Sequence, residues 1–537
     1  MSRQPMRNYR AASWDEPIIH ELGYPGRRGV LVPPVEPEIA ARVGEARSLV
    51  PEAARRRNRP ALPELSEWEA LRHYLRLSQE TLGMMGVSLF GTCTMKYNPA
   101  LGAALVRRPA VREVHPRQQP ETVQGLLEIV HRLDCSLREL SGMDRFVFQA
   151  GGGADAAWLF CCLARAYHAA HGELARRDEV VTTIQAHPCN SATAAAAGFT
   201  VITLPIEEDG YASLDALRAA VSDRTAALMV NNPDDMGIYN PHITEWVQVV
   251  HDAGGLCFYD HANFNGVMGK IRAAELGFDA CMFMLHKTFG VPKGGGGPAV
   301  GAFGCTSRLE PYLPGPLVVE DGGTYRLVEN ENEHAVGRIR EHVGNLPELV
   351  RAYAWVRAMG GEGIDEASDL SVLASNYMDA RLMRIRGVTR SHPQLSGPRM
   401  EMVRYSLQTL TEETGVSAID VQNRMTDFGI DEMWLSHEPW IVPEPFTPEA
   451  GELWSKEDID EWIDVLEHVC NEAYENPEIV RSAPHRQAVH RIDPGGLDDP
   501  ARWATTWRAH RAKQAASAGS GHDGDGGGAG AGAASHH

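Results

Sequence analysis

No apolar run in the 537-residue chain approaches the roughly 20 residues that a membrane-spanning helix needs, and the arginine-containing N-terminus lacks the apolar stretch of a secretory signal. Neither membrane insertion nor export is expected. Positive charge is also short: 51 Lys and Arg stand against 71 Asp and Glu, a formal charge of -20. That field repels a phosphate backbone, so nucleic acid is not an expected partner, although a local basic patch can still hold a phosphate or a carboxylate. The nine cysteines show no repeated metal-ligand spacing, and a chain this long does not need disulfide staples. No metal is expected. Adjacent Cys161 and Cys162 lie on an apolar helical stretch where core packing explains them. A reducing cytoplasm is the expected compartment.

What the chain does have is apolar side chains, 43% of the total, enough for a large core. Residues 1–60, rich in Pro and Arg and without periodicity, read as an extended arm suited to lying across a partner subunit. Val123, Leu126, Leu127, Val130, Leu133, Leu137 and Leu140 recur at helical spacing. Beyond them, strands are expected at 145–149, 179–184, 199–204, 227–231, 256–259 and 281–285, with helices at 154–168, 214–221 and 243–253 between them. Short apolar strands alternating with helices predict a mostly parallel sheet covered on both faces, with ligands at its carboxyl edge. The large domain spans 61–344. Helices at 346–359 and 371–384 open a smaller C-terminal α/β domain, 345–490. A tail, 491–537, follows; its residues 514–537 carry no Lys or Arg, are dominated by Gly, Ala, Ser and His, and are expected to be disordered.

The chemistry concentrates at strand ends. Lys287, in Leu285-His286-Lys287-Thr288-Phe289, follows a buried strand and precedes a loop with four consecutive glycines, 294–297. A lone lysine after a strand is ordinarily a surface charge. Glycines that let backbone approach a planar ligand, and an amine able to condense with its aldehyde, instead suggest pyridoxal 5′-phosphate (PLP). Asp260 ends another strand 27 residues earlier, where an acid either caps a loop or keeps a pyridine nitrogen protonated. Gly151-Gly152-Gly153-Ala154-Asp155 turns from strand to helix; its N–H groups and the helix's positive end suit a phosphate, although alone the motif marks only a tight turn. It has neither the P-loop spacing nor a convincing dinucleotide fingerprint. His187 follows a further strand, placed to stack on a cofactor ring and to move a proton near Cα. Arg399 and Arg404 suit an amino-acid substrate's carboxylate, though solvated or interdomain roles are as common for arginine.

Together these motifs resemble the glycine-cleavage P-protein family, specifically the PLP-bearing subunit 2 of two-subunit glycine dehydrogenase (decarboxylating). The resemblance spans roughly residues 14–466. It includes Pro25-Gly26-Arg27-Arg28-Gly29, Gly91-Thr92-Cys93-Thr94-Met95-Lys96-Tyr97-Asn98-Pro99, His115-Pro116, Glu121-Thr122-Val123-Gln124-Gly125, the segment from Asp260 to Asn265 and, most specifically, the block from Leu285 to Pro298. It implies a fold-type-I, aspartate-aminotransferase-like large domain with a smaller C-terminal α/β domain. Lys287 would be the Schiff-base lysine, Asp260 the pyridine-nitrogen partner and His187 the stacking residue. His286 and Thr288 would contact the phosphate or adjust the lysine linkage, and Gly151, Gly152, Gly153 and Asp155 would form the phosphate cradle. The implied reaction is glycine decarboxylation with aminomethyl transfer to a lipoylated carrier protein. It also implies a glycine dehydrogenase subunit 1 partner and an oligomer whose site is completed by the segment from Gly91 to Pro99.

Four segments depart from the family pattern: His261-Ala262 after the aspartate, His187-Pro188-Cys189-Asn190-Ser191, the triple-glycine turn, and Trp434-Leu435-Ser436-His437-Glu438-Pro439-Trp440. They fall where cofactor or substrate loops are expected. They leave an alternative open: a divergent PLP enzyme catalysing decarboxylation, carbon–carbon cleavage or group transfer on another amino acid, with His261 or Cys189 altering polarity around the substrate.

Overall fold

The computed structural model describes residues 6–7, 9–27, 29, 32–58, 60, 62–81, 87–89, 99–292, 299–340, 342–437, 440–491 and 506–519. The segment 91–98 and the glycine loop 294–297, both singled out from sequence, lie outside the described residues. So does 520–537, most of the tail expected to be disordered, whereas 514–519 belong to a helix, Trp507–Gly519. No helix among the described residues is long and apolar enough to cross a membrane.

Two compact units emerge: Met1–Tyr9 with Met85–Ala483, and Arg10–Met84 with Pro484–His537. The first unit is built on a seven-stranded sheet of β1 (Arg145–Val147), β2 (Glu179–Thr183), β3 (Thr200–Leu204), β4 (Thr225–Asn231), β5 (Leu256–His261), β6 (Ala280–Met284) and β7 (Gly301–Cys305). Their spatial order is β1-β7-β6-β5-β4-β2-β3. Neighbours from β6 through β3 run parallel, while β7 is antiparallel to both β1 and β6. β5, β6 and β7 are buried at every residue, as strands covered on both faces must be.

The covering layers follow from helical periodicity. Helix α1 (Gln124–Ser141) buries Leu126, Leu127, Val130, Leu133 and Leu137 on one stripe. It packs on one face of the sheet with helix α5 (Ile243–Asp252) and the first half of helix α6 (Leu346–Leu382). Helix α2 (Gly153–Ala170) covers the other face through Ala156, Leu159, Phe160 and Leu163. Helices α3 (Pro188–Ala196) and α4 (Leu214–Ala220) complete the crossovers.

The two helices expected at 346–359 and 371–384 correspond to two helical stretches of α6 that meet in a kink at Gly360, whose φ of 66 breaks the helical path, so the first ends where expected and the second begins earlier than expected. Its first half joins the sheet's core. Its last turns, through Met378 and Leu382, join a second core around Tyr405, Phe446, Trp462 and Leu466. That core belongs to the smaller C-terminal α/β layer, with a three-stranded antiparallel sheet and helices α7 (Ala418–Met425) and α8 (Lys456–Glu475).

In the second unit, Ser66 and Glu69 form a capping box that starts a helix at Glu67–Gln79, and buried His73 meets Glu16 at 2.7 Å.

Candidate active site

The carboxyl ends of β4, β5 and β6 lie side by side, Asn231 opposite Asp260 and Asp260 opposite Met282. After β6 the chain tightens into a turn in which Lys287 N–H donates to the Met284 carbonyl at 2.9 Å, and the Lys287 side chain is buried. Asp260 is buried with it. Its carboxylate accepts from Ala262 N–H and from the Asn190 amide, each at 3.0 Å. Burial raises its pKa, while those donors and the Lys287 charge work against the rise.

Asn231 laces the neighbouring elements together. Its side-chain oxygen accepts from His187 N–H at 3.0 Å and from Asn190 at 3.3 Å. His187 is the N-cap of α3: its Nδ1 accepts the Cys189 N–H at 3.1 Å, so the neutral ring carries its proton on Nε2. Burial, and next the Lys287 cation, lower its pKa and keep it neutral. The His437 ring meets His187 edge-on at 4.5 Å and is itself pushed down to about 4 by burial and by His187. Both rings line a cavity of about 260 Å³ together with Gln185, Ser191, Asp235 and Arg404.

The triple-glycine turn delivers the chain into α2. Gly151 N–H donates to Asp155 at 2.9 Å, and Asp155 pairs with Arg340 at 3.5 Å. A Cβ at Gly151 would lie 1.8 Å from Arg340 Nη1, so a larger residue here would have to displace the guanidinium. Gly152 caps α2 in extended backbone and Gly153 starts the helix. The turn adjoins the end of β6, since a Cβ at Gly301 would touch both Met284 and the Gly152 carbonyl. Thr288 is buried, its hydroxyl oxygen accepting Phe264 N–H at 3.1 Å, and His286 is half-buried beside it.

The two candidate arginines separate. Arg404 is buried against the cavity, donates to Thr447 Oγ1 at 3.1 Å and lies 3.7 Å from Asp235. Arg399 is spent on backbone: it donates to the carbonyls of Ser391 at 2.9 Å, His392 at 3.0 Å and Met236 at 3.5 Å. It holds loops together and does not line the cavity.

The chain is 42% identical over 489 residues to the probable glycine dehydrogenase (decarboxylating) subunit 2 of Pyrococcus furiosus, covering 90% of this chain and 95% of that one. The protein of the same description from Thermococcus onnurineus is 42% identical over 506 residues, 94% of this chain and 98% of its own. The chain belongs to this subunit 2 family.

The profile of class-V aminotransferases matches residues 143–421. Among solved structures, a glycine decarboxylase (P-protein) of the glycine cleavage system superposes with a TM-score of 0.68 at 21% identity, covering 82% of this chain and all of that one. A NifS-like protein superposes at 0.55 with 15% identity. These likenesses establish the fold-type-I architecture of PLP-dependent enzymes.

Two departures from the family pattern play a different part than their positions in sequence suggest. His261 follows Asp260, and strand alternation turns it to the opposite face, where its ring lies 3.5 Å from Tyr259 and 5.1 Å from Phe264. It does not line the cavity shared by His187, His437 and Arg404. The Cys189 thiol lies close enough to the site to feel Asp260 and Lys287, yet burial raises its pKa and keeps it protonated. Sequence reasoning passed over Asn231, Asp235 and Arg340. Asn231 ends a predicted strand and was readable as a strand-end polar residue; nothing local distinguishes the other two.

Proposed function

We propose that the chain catalyses PLP-dependent glycine decarboxylation and passes the remaining aminomethyl group to a lipoylated carrier, working beside a subunit 1 partner as the relatives' names suggest. The observation that carries the reading is the convergence of Lys287, Asp260 and His187 at adjoining strand ends in a chain 42% identical to subunit 2 relatives.

The residues present fit PLP. Asp260 is buried with only neutral hydrogen-bond donors and, among the described residues, no ion pair; a pyridinium N–H is the cation such a carboxylate calls for. The α2 N-terminus with Arg340 suits a phosphate, as would His286 and Thr288. Lys287 offers the amine that binds the aldehyde. Bound PLP supplies a ring that draws off the electron pair left when a bond to Cα breaks.

Around it, Asp260 holds the proton at the ring nitrogen. His187, neutral and fixed by its cap, offers a flat face to the ring and an Nε2 proton toward the substrate. Arg404 orients the substrate carboxylate. Cys189 and His261 take no part.

Borohydride reduction of the PLP-loaded protein is expected to fix a phosphopyridoxyl group on Lys287, located by peptide mass. With the carrier and partner supplied, glycine should give carbon dioxide and an aminomethylated carrier. Asp260→Ala should retain trapping at Lys287 while losing turnover by about two orders of magnitude, given ~1.4 kcal/mol per tenfold. Trapping on another lysine, or turnover of a different amino acid but not glycine with all partners present, would overturn the assignment.

A further inference from the structure

After β4 the chain turns through Asp234 and Asp235. Asp234 is consumed locally, its Oδ1 accepting Met236 N–H at 2.9 Å and Ile238 N–H at 3.0 Å. Asp235 instead lines the cavity that holds His187, His437 and Arg404, and it is 9% exposed. Among the described residues it pairs with Arg404, Nη2 to Oδ2 at 3.7 Å, beyond hydrogen-bond length. Arg404 Nε is satisfied by Thr447, but Nη2 is buried without an acceptor. The cavity wall therefore carries an arginine short of one acceptor and a carboxylate too distant to supply it. The two histidines on this wall, His187 and His437, have lowered pKa values and are neutral, so among the described lining residues Asp235 and Arg404 are the charged ones.

We propose that Asp235 is a specificity-determining residue that places the substrate carboxylate under electrostatic pressure. Arg404 Nη2 orients the carboxylate, and Asp235 makes its negative charge unfavourable. The inference rests on Arg404 acting as the carboxylate donor of the proposed function. In the proposed reaction the Cα–carboxyl bond breaks, its electron pair stays on the Cα side, where PLP when bound would draw it off, and the carboxyl carbon departs as neutral carbon dioxide. Negative charge beside Asp235 is full in the bound substrate and dispersing in the transition state, so repulsion is relieved as the bond breaks. An amino acid with a second carboxylate meets the same repulsion twice, which selects monocarboxylates.

Asp235→Asn keeps shape and removes the charge; Asp235→Ser serves as a second variant should the amide misfold. The PLP-loaded protein is titrated with ¹³C-acetate by NMR, and glycine-dependent carbon dioxide release is measured in parallel. Acetate should bind about tenfold more tightly to either variant, as expected when one nearby like charge is removed from a partly buried site. Adding Arg404→Ala to Asp235→Asn should cancel that gain. For glycine, KM and kcat should fall together, the signature of lost ground-state pressure. Unchanged or weaker acetate binding in both variants overturns the proposal, and so does a lower KM with kcat untouched. If the unaltered enzyme releases no carbon dioxide from glycine, the proposed function falls, while the acetate titration still decides the role of Asp235.

Discussion

Asp260 and His261 are neighbours on β5, and alternation sends them to opposite faces of the sheet: Asp260 to Asn190, His261 into aromatic rings. Both ring nitrogens of His261 are buried without hydrogen-bond partners, and burial alone pushes its pKa down to about 3. The unfolded chain takes up this proton near 6.5 and the folded chain only near 3, so between those values the unfolded state binds more protons and stability falls as pH falls. Above about pH 6.5 the full contribution is present. His261→Phe removes the titrating group and the orphaned nitrogens while keeping an aromatic ring. Its unfolding free energy from denaturant titration should lose part of the wild-type decline between pH 6.5 and 3, on the order of a few kcal/mol. The slope with pH is the deciding quantity, because overpacking against Tyr259 can shift stability at neutral pH by about 1–3 kcal/mol in the other direction. A variant that keeps the full wild-type acid slope would show that His261 is not the group responsible. At this scale the sequence was readable where chemistry and strand end coincide, as at Lys287, Asp260 and His187. It misled where a residue's face depends on register, as at His261. Arg399 and Arg404 were equivalent in sequence because only packing decides which guanidinium meets carbonyls and which meets a cavity.

At the scale of elements, the central parallel strands β4, β5 and β6 were legible because each is a short apolar run that is almost wholly buried, while edge strand β3, half-exposed, was read from its Val201, Ile202 and Leu204. Strand β7, Gly301-Ala302-Phe303-Gly304-Cys305, was not: two glycines dilute its pattern, and it follows the glycine loop closely. The crossover helix α3 was also missed, since its Ala-rich stretch carries little amphipathic signal. The stretch of α6 after the kink at Gly360 contributes to both cores, Ile364 and Ala367 to one and Met378 and Leu382 to the other. The turn 234–238, which presents Asp235, has its own structural requirement. Gly237 has a φ of 72, and a Cβ there would sit 1.9 Å from the Met402 carbonyl; its own carbonyl accepts Met400 N–H at 3.0 Å. Gly237→Ala should therefore push this turn away from the segment that carries Arg399 and Arg404, with left-handed strain adding about 1 kcal/mol or more. Cofactor trapping on Lys287 should survive, because the β5 and β6 ends are untouched, while the KM for the amino acid rises severalfold. Loss of trapping with an unchanged KM for residual activity would contradict this division between cofactor and substrate elements.

On the scale of the whole molecule, the two units differ in how they are held together. None of the hydrophobic clusters among the described residues draws on 10–84 or 484–537. The second unit relies instead on polar and ring contacts between the two ends of the chain: Ala11 N–H to the Arg486 carbonyl at 2.8 Å, His20 stacked on Trp507 at 5.2 Å, and Gln514 to Glu21 at 3.1 Å. Large apolar side chains within it stay uncovered, including Val32 at 77%, Leu49 at 69% and Trp68 at 62% exposed. A unit with so little buried apolar surface is marginally stable, so calorimetry of the isolated chain should show two transitions, the lower from this unit. Deleting 484–537 should abolish the lower transition, since the partners of Ala11, His20 and Glu21 are gone, and leave the upper one within a few degrees. If the uncovered side chains are the seat of the proposed subunit 1 partner, adding that partner should raise the lower transition and protect 10–84 from proteolysis, because a ligand that binds only the folded form stabilises it by mass action. A single transition in the isolated chain, unaltered by the deletion, would mean that the two units unfold as one and that the N-terminal segment draws its stability from the catalytic core.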